Sequence, residues 1–555
     1  MIDGRAMLRM RIVHERLLAI AEDVGHALIR GAFSSNIKER MDCSTAIFDA
    51  EGRLIAQADH MPIHIGSLLW GVRTLLERGQ GFAAGEAFVM NDPYLAGGTH
   101  LPDISVISPV FAEGRLSHFV GNIAHHADVG GPTPGSVSGR SPDIFSEGLR
   151  LPPIRIARGG VPDDDLIELI AANTRAPLER RLDLKTQIGS NARGAALLGA
   201  LIEDLGLSAV ERAGAEICDY TARRLAAAVR ALPDGQWTAT RYLDDDGATS
   251  DPVPLVATVR VAGDRLSFDF TGSGAEAAGA VNLSASSLEA TVAYAVKALI
   301  DPELPANSGL IDAVEIRVTE GTILSPRPPA AVAARAVTSN RLAGAIFDAL
   351  RPALPVERRM AASNDSTSLV VFAGEGFVYP ESIGGGGGAM ADRDGQDGIH
   401  VHTVNSTNLP IEALETSYPL RCTRYALVEG SGGAGQQAGG LGIAREVEAL
   451  VDGVALTVRS DGHIFPAPGA DGGQPGSVTR IRLTRRSGEV QELGSKTSVT
   501  LDRGDRVLVE TLGGGGYGAP EMRTDAALRG DLESGRLSRE AAEAAYGPDR
   551  VRRLT

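Results

Sequence analysis

Six of the chain's eleven histidines, His60, His64, His100, His118, His125 and His126, fall within 67 consecutive positions. Inside that window two segments repeat one spacing. His100-Leu101-Pro102-Asp103 and His125-His126-Ala127-Asp128 each set a carboxylate three residues after an imidazole. On a turn or helix that spacing brings both groups to one side, whereas on a flat strand they point to opposite faces. Brought together, they form a nitrogen and oxygen donor set without thiolate, suited to Mn²⁺, Fe²⁺ or Zn²⁺ rather than to a structural zinc cage. His125 and His126 are adjacent, so in extended chain at most one of them reaches a common centre. The other would support Asp128 or contact substrate. The alternative reading is that these histidines only hydrogen-bond within polar loops.

The surrounding pattern says which elements must position them. Gly97-Gly98 and Pro102 put the first pair in a loop, and Gly130-Gly131 mark a strand end near the second. Period-two segments at 43–48 and 53–56 flank Asp49-Ala50-Glu51-Gly52, and segments at 104–111 and 116–123 flank Ala112-Glu113-Gly114-Arg115, which predicts two β-hairpins. Helices are predicted over 7–31 and 68–78 and through 164–232, where Pro233-Asp234-Gly235 ends the run. Residues 236–330 return to strand-like alternation, interrupted by a helix near 287–299. Beyond residue 361, glycines 384–388, 432–433, 439–440, 472–473 and 513–516 predict tight turns and close backbone approach in a β-rich region. The last thirty residues read as a helical pair, the second member capped by Ser538. The fold class expected is α+β and multi-domain. Its divisions are an N-terminal unit at 1–235 carrying the His/Asp site, a middle unit at 236–360, a Gly-rich β unit at 361–520, and a helical pair at 521–555.

Composition removes several function classes. Seventy acidic against 54 basic side chains give a formal charge of −16, which argues against nucleic acid or an anionic membrane surface as partner. No stretch approaches the roughly 18 apolar residues of a membrane span, and the N-terminus lacks the uncharged core of a signal peptide. Cys43, Cys218 and Cys422 are odd in number and widely spaced, which fits a reducing cytoplasm and makes Cys43 a structural thiol. Gly494-Ser495-Lys496-Thr497 ends like a phosphate loop, but Glu489 stands where a glycine is required and a strand follows. Glycines 384–388 and 513–516 lack the strand and helix flanks of a dinucleotide fingerprint. These three runs are read as turns.

Longer stretches resemble the hydantoinase B/oxoprolinase family. They are Ser35-Asn36-Ile37-Lys38-Glu39-Arg40 with Asp42, Pro62-Ile63-His64-Ile65-Gly66-Ser67, and Asn91-Asp92-Pro93-Tyr94 followed by Gly97 to Asp103. Ala124 to Gly131, Glu147-Gly148-Leu149-Arg150, Asn405 to Pro410, Gly439-Gly440-Leu441-Gly442 and the terminal Gly513 to Gly518 add to it. The resemblance runs from about residue 8 to the C-terminus. It implies a subunit of an ATP-dependent cyclic amidohydrolase that opens hydantoin, 5-oxoproline or lactam rings. ATP would be bound by a hydantoinase A-type partner, separate or fused, so a hetero-oligomer is expected. It also implies a divalent metal held by His100, Asp103 and His125, with His126, Asp128 and Glu39 as candidates for proton transfer. The family's acetone carboxylase branch offers an alternative function, a ketone carboxylase subunit, and a non-catalytic scaffold for the ATP-binding partner is another. One departure stands out: where the family often has an arginine, the segment Ser460 to Pro466 has Asp461 and Gly462, and His463 is read as a surface turn residue.

Overall fold

The computed structural model describes residues 4–58, 60–79, 81–366 and 368–554. Helix α1 (Gly4–Gly31) leads into seven strands: β1 (Cys43–Asp49), β2 (Leu54–Gln57), β3 (Ala87–Met90), β4 (Asp103–Ala112), β5 (Arg115–His125), β6 (Ile154–Arg158) and β7 (Val161–Pro162). They form one antiparallel sheet in the order β2-β1-β5-β4-β3-β6-β7. Helix α2 (Ser67–Glu77) interrupts them, and α3 (Pro177–Leu205) and α4 (Leu207–Val229) follow. Every residue of β1 is buried because both faces of this sheet are covered. Side chains alternate along the strand, so Ala46 and Phe48 join α2 residues Leu68, Leu69 and Val72, while Ile47 packs with Leu17, Val24, Leu198 and Val210 of α1, α3 and α4.

Strands β8 (Gly235–Leu243), β9 (Val253–Ala262), β10 (Arg265–Asp269) and β11 (Val314–Arg317) make a second sheet, with α5 (Ala285–Leu299) and α6 (Arg335–Leu350) against it. Helix α6 has no counterpart in the sequence expectations. Its residues from Arg335 to Ile346 are buried on every side, so the helical periodicity that would announce it is absent. The largest apolar cluster runs from Phe48 and Phe119 through Val292 and Ile346 to Leu255 and Phe268, crossing the expected boundary at 235 without a break.

Nine strands follow: β12 (Ser368–Gly374), β13 (Phe377–Ile383), β14 (Leu420–Leu427), β15 (Ile443–Ala449), β16 (Val454–Arg459), β17 (Arg480–Thr484), β18 (Val490–Glu492), β19 (Lys496–Leu501) and β20 (Arg506–Glu510). They divide into a sheet ordered β13-β12-β16-β19 and a sheet ordered β14-β15-β20-β17-β18. Val370, Phe372 and Leu456 of the first pack on Val447, Ile481 and Val507 of the second. The protein is thus α+β, as its patterning predicts. The C-terminal end has one helix more than expected, α7 (Asp525–Glu533), α8 (Arg539–Tyr546) and α9 (Pro548–Leu554). The Ser538 hydroxyl caps α8 by accepting from the Ala541 amide.

Glycines 384–388, 439–440 and 513–516 are not the turns that their doublets suggest. They lie in neighbouring backbone segments joined by amide-to-carbonyl bonds, with Gly440 N donating to Gly387 O and Gly514 N to Gly440 O, both at 2.9 Å. A Cβ on Gly514 would stand 1.9 Å from the Gly387 oxygen, so the side chain is excluded by backbone atoms that cannot step aside. Gly514→Ala is therefore expected to destabilise the chain by about 3 kcal/mol or more. Gly530→Ala in the open middle of α7, where a Cβ meets nothing within 4 Å, should stabilise by about 0.5–1 kcal/mol. Thermal denaturation of the two variants beside wild type checks both; equal melting temperatures would contradict the packing argument.

Candidate metal centre

The β4–β5 hairpin supplies the first two ligand candidates by register alone. Asp103, the first residue of β4, is paired directly with His125, the last of β5, so both side chains leave the same face of the sheet at the open end of the hairpin. His100 joins them through a turn in which the Asp103 amide donates to the His100 carbonyl at 3.1 Å. The preceding loop is fixed from outside: the hydroxyls of Ser284 and Ser286, at the start of α5, donate to the Thr99 and Gly98 carbonyls at 3.0 and 3.1 Å. Gly98 itself has no room for a side chain, since a Cβ would meet the Asn91 oxygen at 2.1 Å.

His100 Nε2 lies 3.2 Å from His125 Nδ1, and Asp103 Oδ1 is 3.2 Å from the first and 3.0 Å from the second. Among the described residues, His100, Asp103 and His125 are the one group of three or more His, Cys, Asp or Glu side chains whose donor atoms are close enough to share a metal ion. Donors bonded at ~2.1 Å and at right angles to one another stand ~3.0 Å apart, so the triad has the spacing of one face of an octahedron, the arrangement that two imidazoles and a carboxylate make around first-row divalent ions. The residues present fit such an ion.

Their surroundings prepare them for it. The second ring nitrogen of His100 contacts the Ala333 carbonyl at 3.0 Å, which leaves Nε2 to face the centre. Burial, with the nearby Arg335 charge, pulls the His100 pKa down to about 3, so the ring is an unprotonated base at neutral pH. For Asp103 burial works the other way, but His100 and Arg335 overcome it and hold the carboxyl well below the usual carboxylate range. Because His100 is neutral at pH 7, the permanent charge in that balance belongs to Arg335. Asp103 Oδ2 is occupied by the Arg335 guanidinium and the Thr99 hydroxyl, and His64 Nε2 stands 3.5 Å away, so only Oδ1 is left for a cation.

The other expected site residues lie elsewhere, each for a local reason. His126 follows His125 in extended chain and turns to the opposite face, where Nε2 meets Gln187 Oε1 of α3 at 2.9 Å. Asp128 is a loop anchor: it accepts from the amides of Gly130, Gly135 and Arg175 and pairs with the Arg175 guanidinium at 2.8 Å. The second His-x-x-Asp segment therefore does not converge. Glu39 is exposed, whereas the adjacent Arg40 is 1% exposed and turns inward. None of the three lines the cavity of about 40 Å³ beside the triad, whose walls include Arg40, Asp42, His64, Arg335 and Arg459.

Sequence reasoning missed Arg335 and Arg459, which lie 232 and 356 residues beyond Asp103 and carry no motif; the signal available was an arginine opening an alanine-rich apolar run and another ending a strand. In the departing segment, Asp461 is buried in a separate cluster with Arg341 at 2.8 Å and Lys496 at 3.4 Å. Lys496 on β19 is committed there, which removes the phosphate-loop reading of its segment. His463 is half-buried and contacts the Ser460 hydroxyl at 2.6 Å. The Cys43 thiol is fully buried and its pKa is raised by that burial, as suits a structural residue. No described helix is long and apolar enough to cross a membrane.

Comparison with known proteins adds identity at the level of family. The model of the hydantoinase B/oxoprolinase family matches residues 7–520. A Pseudomonas sp. (strain NS671) protein named as a subunit of a D-/L-hydantoinase is 32% identical over 97% of this chain and 94% of its own. The 5-oxoprolinase 1 of Arabidopsis thaliana is 34% identical over 92% of this chain, which spans only 42% of that protein. The crystal structure of the ATP-dependent caprolactamase from Pseudomonas jessenii superposes with a TM-score of 0.89 at 28% identity, covering 97% of this chain and 96% of that one.

Two predictions follow from the site. Arg335→Met would leave Asp103 a buried carboxylate without its cation, and chemical denaturation should register a loss of about 3–5 kcal/mol. Glu147 accepts from the Val332 and Ala333 amides at 2.7 Å, and burial pushes its pKa up to about 8 from an ordinary 4.5. Between those values the folded chain holds a proton that the unfolded chain has lost, so this residue makes stability fall as pH rises. Glu147→Gln removes that contribution, and its melting temperature should decline less from pH 5 to 8 than that of wild type; parallel declines would refute the assignment.

Proposed function

The chain belongs to the hydantoinase B/oxoprolinase family, and from that membership we propose that it is the metal-bearing subunit of an ATP-dependent enzyme that opens a cyclic amide, working with a hydantoinase A-type partner that binds ATP. The observation that carries this reading is the convergence of His100, Asp103 and His125 at hydrogen-bond distances from one another, with Asp103 locked by Arg335. The similarity to proteins named for hydantoins, 5-oxoproline and caprolactam favours a small ring amide as substrate. That the chain spans 42% of a 5-oxoprolinase supports a separate ATP-binding partner here, in the role of the remaining length there.

His100, Asp103 and His125 would hold a divalent ion such as Mn²⁺, Zn²⁺ or Fe²⁺, which supplies Lewis acidity toward a carbonyl oxygen or water. The chain's own groups do the rest. Arg335 keeps Asp103 ionised and single-ended, and the Ala333 carbonyl keeps His100 turned toward the centre. His64 and Asp42, the remaining titratable carboxylate and imidazole on the cavity wall, take over the proton-transfer role that Glu39, His126 and Asp128 are too distant to fill. A wider cavity of about 630 Å³, walled by Tyr294, Phe347, Met390, His400 and His402, shares Val404 with the small one, and its size suits a ring substrate waiting beside the centre. The net reaction adds water to the ring carbonyl carbon; the carbon–nitrogen bond breaks with its electron pair on nitrogen, nitrogen takes a proton, and the carbon is left as a carboxylate.

The test is ATP-dependent turnover of 5-oxoproline, hydantoins, lactams, and acetone with bicarbonate by this chain co-purified with its partner. Ring opening should require both chains, and His100→Ala/His125→Ala should lose metal and reduce turnover by about a hundredfold or more. Bicarbonate-dependent product in place of ring opening would move the protein to carboxylase chemistry, and full activity of the partner alone would make this chain a scaffold.

A further inference from the structure

Three arginines meet at the 40 Å³ cavity, and the charges around them do not balance. Arg40, Arg335 and Arg459 are 1%, 4% and 4% exposed, and all three line it. Arg335 is spent on Asp103 and Thr99. Arg40 reaches only neutral acceptors, the Asn36 side-chain oxygen and the Pro380 carbonyl at 2.6 Å and the Ser406 hydroxyl at 3.4 Å. Arg459 has one hydrogen bond, to the Ala333 carbonyl at 3.1 Å, and no carboxylate partner. The Nε of each of the three is buried without a hydrogen-bond partner. The carboxylates on the cavity wall are Asp42 and Asp103, so three guanidinium groups stand over two carboxylates beside neutral His100. Any divalent ion on the triad would increase the excess.

A buried cation without a partner is costly, and donors left unmade in a dry site add to the cost. Burial, and after it repulsion from Arg335, draws the Arg459 pKa down to about 9, the mark of a guanidinium that lacks a counter-charge. The cavity has room for about three water molecules, which is the scale of a flat group of three or four heavy atoms. A guanidinium fork matches the two oxygens of such a group. Ala336 in the first turn of α6 also lines the cavity, so the positive end of a sixteen-residue helix faces the same space.

We propose that Arg40 and Arg459, opposite the His100–Asp103–His125 triad, form a pocket for a planar oxyanion, a carboxylate or carbonate group. The pocket deepens the reading of the site as a ring-opening centre, because there the amide carbon ends as a carboxylate. Arg459 touches that group directly; Arg335 is a positioning residue for Asp103.

The experiment is calorimetric titration of the full chain, co-purified with its partner and stripped of metal by chelation, with acetate, bicarbonate and inorganic phosphate in turn. Acetate or bicarbonate should bind saturably at one site per chain, with phosphate at least about tenfold weaker. Arg459→Gln should weaken the carboxylate by about tenfold or more and Arg459→Lys by less, because a charge is kept and the fork lost. Should Arg459→Gln fail to fold, the wild-type melting temperature supplies a second readout: it should rise with acetate and stay level with chloride at equal ionic strength. Absence of saturable carboxylate binding, equal affinity in Arg459→Gln, or preference for phosphate would each overturn the pocket. Ring opening is read separately. Its absence alongside Arg459-dependent acetate binding overturns the hydrolase reading and supports the pocket, and its presence without such binding does the reverse.

Discussion

A carboxylate in a dry interior stays ionised only if a cation is held against it, and in this protein that requirement ties distant parts of the chain together. Asp103 opens strand β4 of the first sheet, and Arg335 opens helix α6, 232 residues later. Their contact fixes where α6 begins, and the start of α6 in turn presents the Ala333 carbonyl to His100 and to Arg459 of strand β16. One buried ion pair thereby sets the register among the hairpin that carries two ligand candidates, the helix that covers them and the C-terminal sandwich that closes the cavity. Glu147 reinforces the same junction by holding the Val332 and Ala333 amides from the other side. The pair's worth lies less in its own energy than in what its loss would leave behind, an unpaired charge in the middle of the molecule.

The glycine-rich region meets a different requirement. Backbone segments that approach to within hydrogen-bond distance of one another on several sides have no volume for Cβ atoms, so the composition of residues 384–388, 439–440 and 513–516 is dictated by packing rather than by chain reversal. The sandwich built beside them is anchored by apolar residues at ordinary alternation, as in β16, where Leu456 and Val458 are buried in the core between its sheets. Arg459, the next residue, ends that strand at the metal centre.

What the sequence disclosed about this arrangement was local. The His100-x-x-Asp103 turn and the hairpins around it are encoded within a few residues, and the antiparallel pairing of 103 with 125 follows once the hairpin is recognised. The alternation rule likewise separates His125 from His126. The second His-x-x-Asp segment misled because spacing alone cannot say whether a carboxylate will be used by a neighbouring loop, and Asp128 is taken by three amides and Arg175. Arg335, Arg459 and the inward turn of Arg40 were illegible for the opposite reason: nothing near them in sequence states what they will face. Helix α6 was silent because a helix buried all round has no polar stripe, and α9 because its Pro548 reads as a stop although the first turn of a helix accepts it.

The triad itself is unstable without something to hold it. His100 Nε2, His125 Nδ1 and Asp103 Oδ1 turn electron-rich atoms toward one point at separations of 3.0–3.2 Å. His100 is kept unprotonated by burial and by Arg335, so it brings no charge of its own to offset the carboxylate. A cation at that point converts mutual repulsion into three attractions, and its charge then adds to the guanidinium excess across the cavity. The two halves of the centre therefore call for ligands of opposite sign. The donor triad is complete when a metal ion is bound, and the arginines beside it are complete when an anion is, so each ligand improves the site for the other by neutralising what its partner leaves uncompensated.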